Sequence, residues 1–247
     1  MKLEGSLLLA SYTARSQAYA QALYNSGFEP ERVILYGDPT WDVPRGNVAD
    51  RATRDRTSIF LPNLDETLAE TCERNGWSVT RIDSGNINDL PVFEAIKTSP
   101  AKFMVYSGYG GQLVEPHILD LGPPMIHMHA GWLPEYRGST TIYYSMLMER
   151  TCAVTAFQLG KGIDTGPVFM RRHYPLPPPG LDVDSVYDNA IRADLLVRVM
   201  EHMVTHGRFP VAERQTGKGR DFYVIHPVLK HLAILSLEPS TGSLDDT

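Results

Sequence analysis

Two imidazoles stand two residues apart at the end of a short apolar run, in His127-Met128-His129. A histidine titrates near neutral pH, so it is suited to taking and returning a proton during a reaction. A carboxylate, Asp164, follows within the Gly-flanked turn GKGIDTG of residues 160–166. A carboxylate can orient an imidazole, stabilise its charged form or relay protons through water. These residues predict a proton-transfer site built from His129 and Asp164.

The segments around these residues alternate between strand-like and helix-like patterns. Strands are predicted over 6–10, 33–36, 58–61, 77–82 and 103–106, and helices over 16–24, 64–74, 89–98 and 183–206. Such alternation is typical of a parallel sheet covered on both faces, and ligands bind outside the carboxyl ends of its strands. We therefore predict an α/β fold with a Rossmann-like, doubly wound, mostly parallel sheet. Residues 107–112 and the two histidines should meet at one edge of it.

The domain boundary is placed after the long helix. Residues 1–206 are predicted to form the catalytic domain, and 207–247 a short C-terminal extension that packs on it through the apolar segment 222–235. The polar tail from about 236 is predicted to be frayed. The charged, turn-rich segment 38–56 is predicted to be a surface excursion. The long helix and the apolar segment could form the face of a homodimer, or they could only close the domain.

Charge and composition exclude several classes of protein. The net charge is −6 and the pI is about 5.7, which gives no basis for general nucleic-acid binding, so a small-molecule substrate is expected. Only two cysteines occur, which is typical of a reduced protein and predicts a cytoplasmic location. No run approaches the roughly 20 apolar residues that a membrane helix needs.

The central stretch resembles the formyltransferases that use 10-formyltetrahydrofolate, which include glycinamide ribonucleotide, methionyl-tRNA and sugar N-formyltransferases. That family has Asn-x-His at a strand end, a Ser-Leu-Leu-Pro-x-Tyr-x-Gly loop and an aspartate in an [I/L]-D-[T/G]-G turn. The corresponding segments here are HMH (127–129), GWLPEYRG (131–138) and IDTG (163–166). Tyr109-Gly110 is similar to the segment before the donor pocket, and a weaker likeness covers residues 6–205. His127 replaces the family's Asn, and Gly131 its Ser.

The resemblance implies formyl transfer from 10-formyltetrahydrofolate to the amine of a small metabolite, an amino sugar or an amino-acid derivative. His129 and Asp164 would handle protons, and His127 would lie near the oxyanion. The donor-binding residues would be Tyr109, Gln112, Leu113, Val114, Gly160, Lys161, Gly162 and Ile163, with the Lys161 side chain facing solvent. The acceptor-binding residues would be Ser11, Thr13, Tyr136, Arg137, Gly138 and Thr155. Helix capping by Thr13 or Ser16 is the alternative role of the first loop.

Other functions stay open from the sequence. An enzyme on the same scaffold could have lost folate and use His127, His129 and Asp164 for hydrolysis or cyclisation. A metal-dependent hydrolase could bind zinc through the His-x-His pair and a distant aspartate, although no further ligand cluster is evident and no metal site is expected. A non-catalytic protein could keep the fold and sense a metabolite.

Overall fold

A seven-stranded sheet forms the centre of the protein. The computed structural model describes residues 1–44, 46, 53 and 56–238. The strands of this sheet are β1 Lys2–Ser11, β2 Glu29–Tyr36, β3 Val79–Ile82, β4 Phe103–Ser107, β5 Met125–His129, β7 Cys152–Gln158 and β8 Val168–Tyr174, in the order β3-β2-β1-β4-β5-β7-β8. The strands from β3 to β5 run parallel, whereas β7 is antiparallel to β5 and to β8. The predicted doubly wound, mostly parallel α/β fold is confirmed.

Helices cover both faces of this sheet. They are α1 Ala14–Asn25, α2 Leu68–Arg74, α3 Leu90–Lys97, α4 Pro116–Leu119, α5 Thr141–Glu149, α6 Asp188–His206 and α7 Pro227–Leu235. Leu8 and Ala10 of β1 pack in the core formed with α1 and α6, while Leu7 and Leu9 pack in the core formed with α3 and α4. Because the central strands are buried on both faces, the strand ends are where polar side chains can reach a ligand.

Capping side chains decide where the helices begin. Thr13 accepts the backbone N–H of Ser16 at 3.2 Å, which starts α1. Thr67 and Glu70 form a reciprocal capping box, so the helix predicted over 64–74 begins only at Leu68. The capping role considered for Thr13 is therefore present in the structure.

The segment 38–56 is described only in part. A single 3₁₀ turn covers Pro39–Trp41. The Asp42 carboxylate then accepts the backbone N–H groups of Leu68 and Ala69, both at 2.8 Å, and so ties this segment to the start of α2. Residues 45, 47–52, 54 and 55 lie outside the described residues.

Two further predicted elements differ from the structure. The strand predicted over 58–61 is wrong: Ile59, Phe60 and Leu61 pack in the core shared with α1 as irregular backbone, so their apolar character reflects burial and not strand pairing. The long helix predicted over 183–206 is divided into a π-helical turn, Val183–Tyr187, and α6. Gly207, with φ at +67°, ends α6 in the left-handed conformation that favours glycine.

The C-terminal residues join the body through a second, two-stranded sheet. In it β9 Arg220–Phe222 pairs in parallel with β6 Tyr136–Gly138. Of the apolar segment predicted to pack over 222–235, Ile225 and Ala233 are buried, but the outer face of α7 is exposed, with Val228 at 60%. Only one face of α7 therefore packs on the body. Residues 239–247 lie outside the described residues.

Candidate active site

The two histidines lie at the carboxyl end of β5, where the sheet changes from parallel to antiparallel. His129 stands opposite Thr155 of β7, and His127 opposite Phe157. The turn between β7 and β8 carries Asp164 back to the same edge. The strand order therefore brings together residues 35 positions apart, as the sequence predicted.

His129 and Asp164 face each other in a nearly closed space. The distance from His129 Nδ1 to Asp164 Oδ2 is 3.4 Å, and the two side chains are only 5% and 12% exposed. The other ring nitrogen, Nε2, donates to the carbonyl of Tyr136 at 2.6 Å. This bond assigns the proton of neutral His129 to Nε2 and leaves a lone pair on Nδ1. A Cβ on residue 131 would lie 2.7 Å from Nε2, so Gly131 makes room for the ring.

The charge state of His129 is set by two opposing effects. Burial lowers its pKa, and the Asp164 carboxylate opposes this shift. The imidazole is therefore neutral and basic at Nδ1 near physiological pH, and a proton taken up there meets a carboxylate at once. This arrangement suits a group that accepts a proton and then returns it.

Asp164 itself is held by loops from distant parts of the chain. Its backbone is in the left-handed region, with φ at +50°, a conformation that is uncommon outside glycine and that clusters at functional sites. Gly138 donates its N–H to Oδ2 at 2.8 Å. The amide of Gln215 donates to the carbonyl oxygens of Asp164 and Gly166, at 2.7 Å and 2.8 Å. The C-terminal residues thus fix the aspartate's orientation.

His127 lies in a different electrostatic environment. Its Nδ1 donates to the carbonyl of Tyr106 at 3.4 Å, which leaves Nε2 as an acceptor. Burial, together with the positive charges of Arg15 and Arg192, holds the pKa of His127 well below its ordinary value. A neutral His127 with its proton on Nδ1 presents a lone pair, whereas an asparagine amide presents a donor.

A cavity opens beside this edge, between the segment after β4 and the β7–β8 turn. Its lining residues are Tyr106, Gln112, Leu113, Val114, Leu159, Gly160, Lys161, Gly162, Ile163 and Asp164. Seven of the eight predicted donor-binding residues are among them. Tyr109 is not, because its ring packs edge-on against Tyr36 and Trp41. The Lys161 ammonium points outward to Asp120, at 3.6 Å.

The predicted acceptor-binding residues have mainly structural contacts. Ser11 is fully buried, and its hydroxyl donates to the carbonyl of Ser107 at 3.3 Å. Thr155, also fully buried, donates to the carbonyl of Gly131 at 2.7 Å and accepts from the backbone of Leu133. The Ser11 hydroxyl therefore anchors the end of β4, the Thr155 hydroxyl anchors the loop after His129, and neither is presented to solvent.

The loop 136–138 acts on the site through its backbone. The Tyr136 hydroxyl donates to Glu149 at 2.8 Å, away from His129, while the Tyr136 carbonyl binds the imidazole. The Arg137 guanidinium donates to Gln215 at 3.3 Å. Gly138, with φ at +97°, lies so close to Phe222 that a Cβ would be 2.1 Å from the Phe222 carbonyl oxygen. A side chain cannot be accommodated at this position.

Sequence reasoning missed several residues that the structure brings to the site. They are Arg15, Tyr106, Leu159, Arg192, Gln215 and Phe222. Tyr106 ends a predicted strand, and the rule that ligands bind at the carboxyl ends of parallel strands would have found it. Leu159 directly follows β7 and carries no such signal. Gln215 carries no local signal. Among the described residues no cluster of three or more metal-ligating side chains occurs.

Formyltransferases are among the known proteins that this chain resembles. No family profile matches the chain. The chain is 28% identical to methionyl-tRNA formyltransferase of Thermus thermophilus over 191 residues, 70% of this chain and 59% of that one. It therefore spans about three fifths of the length of this relative.

Two solved structures share the fold. A sugar N-formyltransferase from Shewanella superposes with a TM-score of 0.57 at 13% identity, covering 94% of this chain and 87% of that one. An N-formyltransferase from Helicobacter canadensis, in complex with folinic acid and dTDP-3-aminofucose, gives a TM-score of 0.56 at 15% identity, covering 88% and 70%. The fold defines the class as formyltransferase-like α/β proteins. Together with the similarity in sequence, this fold confirms the resemblance to the formyltransferases.

No helix within the described residues has the length and apolar character to span a membrane.

Proposed function

We propose that the protein transfers a formyl group from 10-formyltetrahydrofolate to the amine of a small metabolite. The observation that carries this proposal is that Asp164 belongs both to the cavity wall and to the proton-transfer pair. This residue lines the cavity and also lies 3.4 Å from Nδ1 of His129. A donor bound in the cavity would therefore have its reactive group beside the proton-transfer pair.

The cavity suits the flat, hydrogen-bonding ring of a folate. Leu113, Val114 and Leu159 give it apolar walls. Among the described residues, the backbone N–H groups of residues 161–163 donate no hydrogen bond, so they remain available to a ring edge. Apolar walls with a few directed polar groups are the usual composition of a small-molecule site.

Proton transfer follows from the geometry of His129. The acceptor nitrogen attacks the formyl carbon, and its proton passes to Nδ1, directly or through a water held by Asp164. The resulting imidazolium is stabilised by the Asp164 carboxylate and by the Tyr136 carbonyl. The bond from the formyl carbon to the donor nitrogen then breaks, and that nitrogen takes the proton back from Nδ1. General acid–base catalysis of this kind typically contributes about 10²–10⁴-fold in rate.

One observation favours a second candidate function. The Nδ1 bond to Tyr106 leaves His127 without a proton on Nε2, so it offers no donor to an oxyanion in the tautomer described. An oxyanion donor is typically worth about 2.7–4 kcal/mol. An enzyme that uses the same His129–Asp164 pair for folate-independent hydrolysis or cyclisation is the alternative, and it predicts an inability to bind folate.

Calorimetric titration with 5-formyltetrahydrofolate, a stable donor mimic, separates the two. We expect saturable binding to the wild type and at least tenfold weaker binding to Val114→Trp, which would fill the cavity. Val211→Trp is the matched control, because Val211 is 74% exposed and lies outside the cavity. Absence of binding to the wild type, or equal binding to both variants, would overturn the folate proposal and favour the second candidate.

A further inference from the structure

Two histidines stand together at the C-terminal end of α6, outside the candidate active site. His202 and His206 are four residues apart, so their side chains lie on the same face of the helix. Their ring centroids are 4.1 Å apart and the ring planes differ by 22°, so the two imidazoles are stacked. His202 is half-buried and His206 is exposed. The pair is thus formed and accessible to solvent in the folded protein.

The separation of these rings is close to the one that a shared metal ion requires. A tetrahedral ion with Zn–N distances of about 2.0–2.1 Å holds two ligand nitrogens about 3.4 Å apart. Nitrogens on the same side of two rings stacked at 4.1 Å reach that separation through small rotations of the side chains. Two histidines at this helical spacing also hold the zinc ion of the HExxH metalloproteases. The geometry is therefore suited to binding one ion between the two rings.

Each ring keeps a nitrogen that is free to bind a metal. Nδ1 of His206 donates to the carbonyl of His202 at 3.0 Å, which leaves the lone pair of the neutral ring on Nε2. Histidines that bind metals usually donate their other N–H in this way, because the bond fixes both the tautomer and the orientation of the ring. Neither ring nitrogen of His202 hydrogen-bonds to another described residue.

The surroundings keep His202 neutral near physiological pH. Desolvation, followed by the charges of His206 and Arg208, lowers the pKa of His202 below its ordinary value. A neutral imidazole has the lone pair that a metal ion needs. Because α6 ends at His206, the free carbonyl groups of its last turn direct partial negative charge to this end. That negative charge favours a bound cation and opposes the repulsion from Arg208.

Other exposed histidines have different neighbours. His117 lies 3.5 Å from Glu115, and His173 stacks on Trp132 with ring centroids 4.2 Å apart. In the part of the chain that the structure describes, no other two histidine rings stack on each other. The arrangement at the end of α6 is therefore a local feature and not a general property of the surface histidines.

We propose that the C-terminal end of α6 binds a divalent transition-metal ion through His202 and Nε2 of His206. Imidazole suits zinc, copper and nickel, whereas magnesium and calcium prefer oxygen ligands. Within the described residues no group of three metal-ligating side chains occurs, so water would fill the remaining positions and the ion could exchange. This site is separate from the His-x-His zinc site considered from the sequence, and it does not depend on the proposed function.

Titration of the protein with Zn²⁺, after purification without a histidine tag, tests this site. We expect calorimetry to show saturable binding of one Zn²⁺ per chain, tighter binding of Cu²⁺ and no binding of Mg²⁺ at the same concentrations. His202→Ala and His206→Ala should each weaken Zn²⁺ binding at least tenfold, because each leaves a single imidazole. Alanine is the best helix former, so neither variant should unfold α6.

His231→Ala is the matched control, because it removes an exposed helical histidine that has no histidine four residues away. It should bind Zn²⁺ like the wild type. Electron paramagnetic resonance of the Cu²⁺ complex should show coupling to imidazole nitrogens that is lost when His202 and His206 are both replaced by Ala. No saturable binding, equal binding by the wild type and both single variants, or binding that persists in the double variant would overturn the proposal.

Discussion

His127 and His129 sit two residues apart on one strand, yet their electrostatic surroundings differ. His129 faces the Asp164 carboxylate at 3.4 Å and donates to a carbonyl at 2.6 Å. His127 makes only a long, 3.4 Å bond to a carbonyl and lies near two guanidinium groups, of Arg15 and Arg192. A carboxylate favours an imidazolium, and guanidinium groups oppose it. The two imidazoles therefore differ in how readily each takes up a proton.

The contrast divides the site into a proton-transfer side, at His129 and Asp164, and a cationic side, at His127. On the first, loops from residues 136–138 and 213–222 close around His129 and Asp164. On the second, α1 and α6 contribute positive charge around a histidine that stays neutral. Both sides border the same strand, β5. The following predictions test this division, from the largest expected effect to the smallest.

Replacement of Asp164 by Asn should have the largest effect on turnover. The variant keeps an oxygen for the Gly138 N–H but removes the charge that stabilises protonated His129. We expect the rate of tetrahydrofolate release from 10-formyltetrahydrofolate, measured with an accepted amine, to fall by about 10²–10⁴-fold. Asp83→Asn, at an exposed position, is the control. A loss smaller than threefold would contradict the role of Asp164.

Gly138→Ala should lower the stability of the protein by disturbing the loop beside Asp164. The added Cβ would meet the Phe222 carbonyl at 2.1 Å, in a backbone with φ at +97°. We expect the free energy of unfolding, from urea denaturation, to drop by about 2–3 kcal/mol. Gly85→Ala is the control, because a Cβ there meets nothing within 4 Å. Equal stability of both variants would show that β9 does not constrain the loop.

Gln215→Ala should weaken catalysis without removing a reacting group. The substitution deletes two hydrogen bonds that hold the carbonyls of Asp164 and Gly166. We expect kcat to fall by about tenfold, which corresponds to about 1.4 kcal/mol. Gln215→Glu has the same length but no donor when ionised, so it should fall with the alanine variant. Full activity in Gln215→Glu would mean that these bonds do not position Asp164.

His127→Asn should change the pH dependence of stability. The folded-state pKa of His127 lies below its unfolded value of about 6.5, so the unfolded chain binds the extra proton as pH falls. The wild type should therefore lose stability below about pH 6.5, by up to about 1.4 kcal/mol per pH unit from this residue alone. His127→Asn should lose less between pH 7.5 and 5. Parallel curves for the two proteins, in urea denaturation at each pH, would contradict the depressed pKa.

The parts of this division differ in how far the sequence predicts them. The sheet and the His129–Asp164 pair are predictable, because strand periodicity is local and the parallel order of strands brings their carboxyl ends together. The residues that hold His129 and Asp164 in place are not predictable in this way. Gln215 contacts Asp164 across 51 positions of sequence, through a turn with no motif of its own. The predicted strand over 58–61 failed because a short apolar run fits a buried irregular segment as well as a strand.

The positive charge near His127 could not be predicted from the sequence either. Arg15 reads from the sequence as one polar residue of an N-terminal helical turn, and Arg192 as a polar position of a long helix. Only the packing of α1 and α6 on the same face of the sheet brings both near β5. Tyr136 shows the complementary limit, because the motif identifies the residue but not that its carbonyl, rather than its hydroxyl, contacts His129.

The most direct test of the division is a ¹⁵N NMR titration of the imidazoles in the intact protein, with His127→Asn and His129→Asn used for assignment. We expect His127 to stay neutral down to a pH well below 6, with its proton on Nδ1, and His129 to carry its neutral-state proton on Nε2. We also expect Asp164→Asn to lower the pKa of His129, because the carboxylate raises it. A His127 that titrates at or above about 6.5, the ordinary value, or a His129 pKa unmoved by Asp164→Asn, would contradict the assignment of different environments to the two histidines.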